Sequence, residues 1–168
     1  MRVLIASAGH PFEQRQSLLF ASRLAAAFEA AGHQSDWLLL PFEPESADLL
    51  DQCLAIRLMD LSHRPDRLIA VGFPAVVLSH PDKVGVFPSE ADLSCAHPAT
   101  GLAQPPAARA LQSALRLALS ECRAVYCLSP QCAEILHGDG ALAGPPLAPA
   151  AQSLDGAPEP DILKVLLS

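Results

Sequence analysis

The sequence predicts an α/β fold, a doubly wound, mostly parallel sheet flanked by helices in a single domain. Three observations lead there. Short, nearly continuous apolar runs recur at Arg2–Ala8, Arg67–Val71 and Lys83–Phe87. Such runs suit strands buried on both faces, and burial on both faces is the mark of a parallel sheet. Segments of helical periodicity separate the runs, which implies strand–helix–strand units. Finally, 51% of the residues are hydrophobic and 17% charged, the balance of a chain that buries a core rather than one that stays disordered.

The elements follow in order. Arg2–Ala8 is the first strand. Gln16–Ala31 carries Ala21, Leu24, Phe28 and Ala31 at helical spacing, and Gly32 supplies the stop. Trp37–Leu40 is a second strand ended by Pro41. Ala47–Met59 is a second helical pattern, with Leu50, Leu54 and Leu58 one turn apart. Arg67–Val71 runs into Gly72-Phe73-Pro74, Ala75–Leu78 is a short helix or turn, and Lys83–Phe87 is the fourth strand. Pro88–Pro106 reads as loop. Ala107–Leu119 is the clearest helix, with Leu111, Leu115 and Leu119 on one face. Ala124–Leu128 is the fifth strand. Ser129 is placed to cap the next helix and Pro130 to open it. Gly138–Pro160, rich in Gly, Ala and Pro, reads as a linker before a last apolar segment, Asp161–Leu167. Residues 1–147 therefore form the predicted domain and residues 148–168 a Pro/Ala-rich linker with a terminal apolar segment.

Composition excludes several functions. A net charge of −7, with 11 Lys and Arg and no basic run, argues against nucleic acid as a partner. No apolar stretch approaches the roughly 20 residues of a spanning helix, and the short N-terminal apolar run reads as a strand, not a signal peptide; the expected location is cytoplasmic. The five cysteines (Cys53, Cys95, Cys122, Cys127, Cys132) are odd in number, and the last three recur every five residues, which suits neither a disulfide framework nor zinc spacing. They read as small core side chains, and no metal is expected.

In a doubly wound sheet, ligands bind beyond the carboxyl ends of the strands. That edge collects Ser7–Phe12, Gly72–Pro74, Pro88–Asp92 and Ser129. The loop after the first strand has one glycine, Gly9, where a dinucleotide fingerprint needs three. His10 follows it. Glu90 and Asp92 after the fourth strand are a pair of carboxylates of the kind that acid–base chemistry uses, and also of the kind that sits in solvated loops. His80-Pro81-Asp82-Lys83 falls at the opposite edge and reads as a turn. No phosphate-binding loop, nucleophile elbow or zinc-protease motif is present.

Arg57–Phe87 carries a more specific pattern. RLMDLSHRPDRLIAVGFPAVVLSHPDKVGVF resembles the family-4 glycosyltransferases of the GT-B architecture, in which an "RLLDLS" helix end leads to a strand, then "FP", then "HPNK" and a further strand. The match uses Arg57, Leu58, Asp60, Leu61, Ser62, Asp66, Ile69, Phe73, Pro74, His80, Pro81 and Lys83. Phe20–Gln34, Trp37–Pro44, Cys122–Ser129 and Gly144–Leu147 are similar to further family segments, and Pro160–Ser168 is similar to the opening strand of the family's second domain. The resemblance implies a Rossmann-like N-terminal domain on the acceptor side of a sugar-transfer cleft, with the nucleotide-sugar held by the second domain and no metal required. Two departures bear on chemistry. The family's Gly-Gly pair in the first loop is a single Gly9 here, and its "HQHR" after the fourth strand reads Pro88-Ser89-Glu90-Ala91. The glutamate pair that grips the donor belongs to the second domain. The expectation is thus a glycosyltransferase-like domain that acts by binding an acceptor or a partner, inactive as a lone chain. The alternatives are the acceptor subunit of a split glycosyltransferase, completed by a separate nucleotide-sugar-binding chain, and a truncated gene fragment. Expected partners are a glycosyltransferase or donor-domain subunit, or a second copy. The predicted cleft residues are Gly9, His10, Phe73, Pro74, Glu90 and Ser129, none with a catalytic role.

Overall fold

A computed structural model describes residues 1–9, 15–44, 46–61, 65–96, 106–138 and 160–167. The strands are β1 (Arg2–Ala8), β2 (Gln34–Leu40), β3 (Arg67–Val71), β4 (Lys83–Phe87) and β5 (Ala124–Cys127), and the helices are α1 (Gln16–Ala30), α2 (Leu49–Arg57), α3 (Ala107–Ser120), α4 (Pro130–Gly138) and α5 (Pro160–Leu167). Two 3₁₀ turns, Ala75–Val77 and Glu90–Leu93, follow β3 and β4. All strand pairs are parallel and the order is β2-β1-β3-β4-β5. The fold class read from the sequence is the one observed: a Rossmann-like α/β sheet with helices on both faces. The direction of winding across the sheet reverses between β1 and β3, the crevice where open sheets of this order hold ligands.

Alternation along the strands divides the core in two. Val3, Ile5, Ile69, Val71, Val84, Val86 and Tyr126 face α1 and α5, whose Phe20, Leu24, Phe28, Ile162 and Leu166 complete that layer. Ala6, Ala8, Leu68, Ala70, Phe87 and Cys127 face α2, α3 and α4. Four of the five thiols lie buried in the second layer and Cys122 is half-buried against it; all five are free.

Helix α1 ends as its sequence requires. Gly32 takes φ +83°, its N–H donates to Glu29 O at 2.9 Å, and the His33 N–H donates to Phe28 O at 3.0 Å. Two orphan carbonyls are satisfied, and the Phe28 and His33 rings meet edge-on at 5.9 Å, the apolar contact that goes with this stop.

Three readings need correction. β2 begins at Gln34 rather than Trp37, because Gln34-Ser35-Asp36 pair with Arg2-Val3-Leu4 through the backbone although the segment is polar. In α2 the buried residues are Leu49, Cys53 and Ile56; Leu50, Leu54 and Leu58, offset by one position and hence by about 100° around the helix, point to solvent. The terminal segment is helix α5 and not the strand suggested by similarity to a second domain. Ile162 and Leu166, four residues apart, are buried on the sheet, the Arg67 Nη1 donates to Leu166 O at 2.7 Å, and the Tyr126 hydroxyl donates to Val165 O at 3.4 Å. Of the predicted loop Pro88–Pro106, residues 97–105 lie outside the described residues, as does most of the Gly138–Pro160 linker. No helix among the described residues is long and apolar enough to cross a membrane.

Candidate functional site

Parallel strands bring the loops after β1, β3, β4 and β5 to one edge. After β3 the backbone turns at Gly72 (φ +74°) into a cis Phe73–Pro74 peptide. Only glycine fits there: a Cβ would meet the Asp92 Cβ at 3.1 Å and its carboxyl carbon at 3.2 Å. The Gly72 N–H donates to Val86 O at 2.8 Å and the Phe73 N–H to Asp92 O at 3.1 Å, so the turns after β3 and β4 are pinned together.

Asp92 is the centre of this junction. Its Oδ2 accepts from the Ser89 N–H at 3.0 Å and from the Ser89 hydroxyl at 3.3 Å, and Ser17 of α1 donates to the same carboxyl. Burial pushes the Asp92 carboxyl up from its ordinary value, opposed by those hydrogen bonds and by the charge of Arg15. The carboxylate pair read from the sequence is thus divided in role. Asp92 is buried and ties α1 to the β4 turn, while Glu90 is exposed.

Across the edge, Ser129 caps α4. Its Oγ accepts from the Cys132 N–H at 3.4 Å, and it donates to Gln131 Oε1 at 2.9 Å, with Glu90 Oε2 at 3.4 Å as a second acceptor in reach. The loops after β4 and β5 therefore place an exposed carboxylate beside a half-buried hydroxyl. Behind them the Cys132 thiol donates to the sulfur of Cys127, which lowers Cys127 from its usual value and raises Cys132; with both buried, Cys132 stays a neutral thiol.

Of the predicted cleft residues, Gly9, Phe73, Pro74, Glu90 and Ser129 all lie at this edge, and His10 lies outside the described residues. Glu90 and Ser129 meet. Gly9 instead donates its N–H to Leu40 O at 3.0 Å, and Phe73 and Pro74 are buried, so these three contribute packing and backbone rather than side chains. Sequence reasoning missed Ser17 and Ser89 as partners of Asp92. The spacing Ser89-x-x-Asp92 is the available signal, since a hydroxyl followed by a carboxylate three residues on marks a tight helical start.

The residues that carry the family resemblance lie mostly elsewhere and hold the fold. Arg57 grips Glu121 with two bonds of 2.6 Å and reaches Val77 O at 3.2 Å. Lys83, fully buried, donates to Val76 O, Leu78 O and Glu121 at 2.9, 3.0 and 3.1 Å. Asp66 accepts from the Arg2 N–H at 2.7 Å. The His80 Nδ1 lies 2.9 Å from Asp82 O and 3.1 Å from the Asp82 N, and its Nε2 lies 3.3 Å from Pro65 O, so the ring ties the turn before β4 to the end of the preceding loop. Asp82 in turn accepts from Arg67 Nε at 3.0 Å. Ser62 lies outside the described residues.

A separate groove of about 740 Å³ runs along β2 at the amino edge, lined by Arg2, Leu4, His33, Asp36, Trp37 and Leu38. Its far wall, Leu61 and Pro65, flanks residues 62–64, which are outside those described. Among the described residues no three or more His, Cys, Asp or Glu side chains are arranged to hold a metal. No family model, no curated protein and no solved structure matches the chain.

Proposed function

We propose that this chain is an acceptor-side binding domain of the glycosyltransferase type, which binds a hydroxyl-rich ligand at the carboxyl edge of its sheet. The observation that carries the reading is the pairing of the Glu90 carboxylate with the Ser129 hydroxyl across the β4 and β5 loops, 3.4 Å apart and open to solvent. An exposed carboxylate accepts hydrogen bonds from ligand hydroxyls, the groups a sugar offers in number. The parallel sheet supports the choice of edge, because ligands of such sheets lie beyond the carboxyl ends of the strands. The Arg57–Phe87 pattern supports the class. Glu90 standing where the family has basic residues disfavours a phosphate at this point and favours an uncharged acceptor.

The test is a titration followed by backbone NMR, with a panel of neutral mono- and disaccharides and a nucleotide-sugar as separate ligands. Neutral saccharides are expected to shift resonances around Glu90 and Ser129, and Glu90→Ala is expected to weaken that binding about tenfold. Binding of the nucleotide-sugar alone would replace this reading with that of a donor site, and no shift with any saccharide would remove it.

A further inference from the structure

Two of the five free thiols form a pair. Cys127 closes β5, and Cys132 lies in the first turn of α4, across the bend Leu128-Ser129-Pro130-Gln131. The bend is fixed at both ends. The Leu128 N–H donates to Phe87 O at 2.9 Å, and the Cys132 and Ala133 N–H groups donate to the Ser129 hydroxyl and carbonyl at 3.4 and 3.2 Å. Both side chains enter the same core layer, and there the Cys132 S–H donates to the Cys127 sulfur. A contact of this kind holds two sulfurs within reach of each other.

The layer treats its other cysteines differently. Burial pushes Cys53 up to about 12 and Cys122 up to about 11, and it raises Cys95. Cys127 is the exception, because the bond from Cys132 favours its thiolate. One sulfur ionises while its neighbour keeps a proton, the division that a dithiol couple uses. Both sulfurs are covered, at 1% and 0% exposure, so access depends on α4. That helix has nine residues and buries only Cys132 and Leu136. It therefore opens locally more readily than the domain unfolds. Its lifting admits a small oxidant to Cys127, and its return brings Cys132 back.

We propose that Cys127 and Cys132 are a dithiol–disulfide couple, oxidised by a hydroperoxide, that ties the end of β5 covalently to the first turn of α4. With hydrogen peroxide, the Cys127 thiolate attacks one oxygen and the O–O bond breaks. Cys127 becomes a sulfenic acid, and hydroxide leaves to take up the proton that Cys127 lost. The Cys132 sulfur then attacks the Cys127 sulfur, the S–O bond breaks, and that oxygen leaves as water with the Cys132 proton. Two thiols and one peroxide give one disulfide and two waters, with two electrons passing from sulfur to the peroxide. The closed ring contains Ser129, so the redox state is written into the carboxyl edge, whichever ligand that edge takes.

Peroxide treatment of the folded full chain tests this, followed by denaturation, alkylation and peptide mass mapping. The wild type is expected to lose two alkylatable thiols, to yield a peptide linking Cys127 to Cys132, and to recover all five thiols with dithiothreitol. Cys132→Ser keeps a hydrogen-bond donor but removes the second sulfur. Dimedone is expected to trap a sulfenic acid at Cys127 in that variant, at least about tenfold above any other cysteine. In Cys127→Ser no adduct is expected at Cys132. The wild-type mapping stands if either variant fails to fold. Retention of all five thiols at a peroxide excess that oxidises the urea-unfolded chain, a disulfide joining any other pair, or trapping at Cys132 in Cys127→Ser would each overturn the proposal.

Discussion

The ammonium of Lys83 lies 3.1 Å from Glu121 Oε2, and the lysine side chain is entirely buried. Lys83 opens β4 and Glu121 follows α3, so the contact joins the sheet to the helical layer. Val76 O and Leu78 O take the other two ammonium protons, which makes Lys83 the hub for the 3₁₀ turn after β3 as well. Replacing Lys83 by methionine keeps the length but leaves both carbonyls without a donor. Lys83→Met is expected to lower unfolding free energy by about 2–4 kcal/mol, measured by urea denaturation.

Glu121→Gln reads the same cluster through pH. The hydrogen bond from Arg57, and then that from Lys83, hold the Glu121 carboxyl below its ordinary value of 4.5. The folded state therefore binds fewer protons at this site than the unfolded state, so the stabilisation is present above the unfolded value and is lost as pH falls through the folded one. Thermal melts from pH 7 down to pH 3 are expected to show a shallower acid limb for Glu121→Gln than for the wild type. Parallel limbs would mean that the pair contributes nothing.

Asp92 has the opposite sign. Burial raises its carboxyl above the ordinary 3.8, so the folded state binds more protons here and this contribution declines as pH rises from about the unfolded value through the folded one. Asp92→Asn removes that dependence. The stability of the variant relative to the wild type is expected to improve as pH rises above 3.8, whatever its absolute offset, and a constant difference would contradict the burial argument.

Gly72→Ala combines a left-handed backbone with a Cβ 3.1 Å from that of Asp92. A loss of about 1–3 kcal/mol is expected. Because Asp92 holds the β4 turn against α1, protease susceptibility is expected to rise at the carboxyl edge before it rises elsewhere.

Ser129→Ala removes the cap of α4 and is expected to cost about 1 kcal/mol. Ser129→Asn restores a side-chain acceptor for the Cys132 N–H. Recovery of stability without recovery of saccharide binding would separate the two roles of this hydroxyl.

Legibility followed burial. β1, β3 and β4 could be read to the residue because a central parallel strand is apolar on both faces, as the fully buried Leu68-Ile69-Ala70 shows. β2 is an edge strand, and Gln34-Ser35-Asp36 join it through backbone pairing that leaves no apolar trace. In α2, consecutive leucines supply two stripes of equal strength, and only the packing of Leu49 against the core decides between them. Ile162–Leu167 is a short apolar run of the length at which helix and strand periodicities are hardest to tell apart. The edge residues were legible as a set because every strand end lies there. The meeting of Glu90 with Ser129 was not, since 39 residues separate them. Nor was the burial of Asp92, whose carboxyl takes a hydrogen bond from Ser17 of α1, far from it in sequence.

Helix α5 rests on the face opposite the exposed leucines, held by Ile162, Leu166 and the Arg67 bond to Leu166 O. Eight residues are too few to form a stable helix alone, so α5 exists as a helix only in its seat and behaves as a tethered peptide ligand of its own domain. The intervening chain raises its effective concentration at that seat. Cutting the chain between residues 139 and 159 would turn folding of this layer into a bimolecular equilibrium, one that added peptide could drive and a tighter amphipathic helix could win.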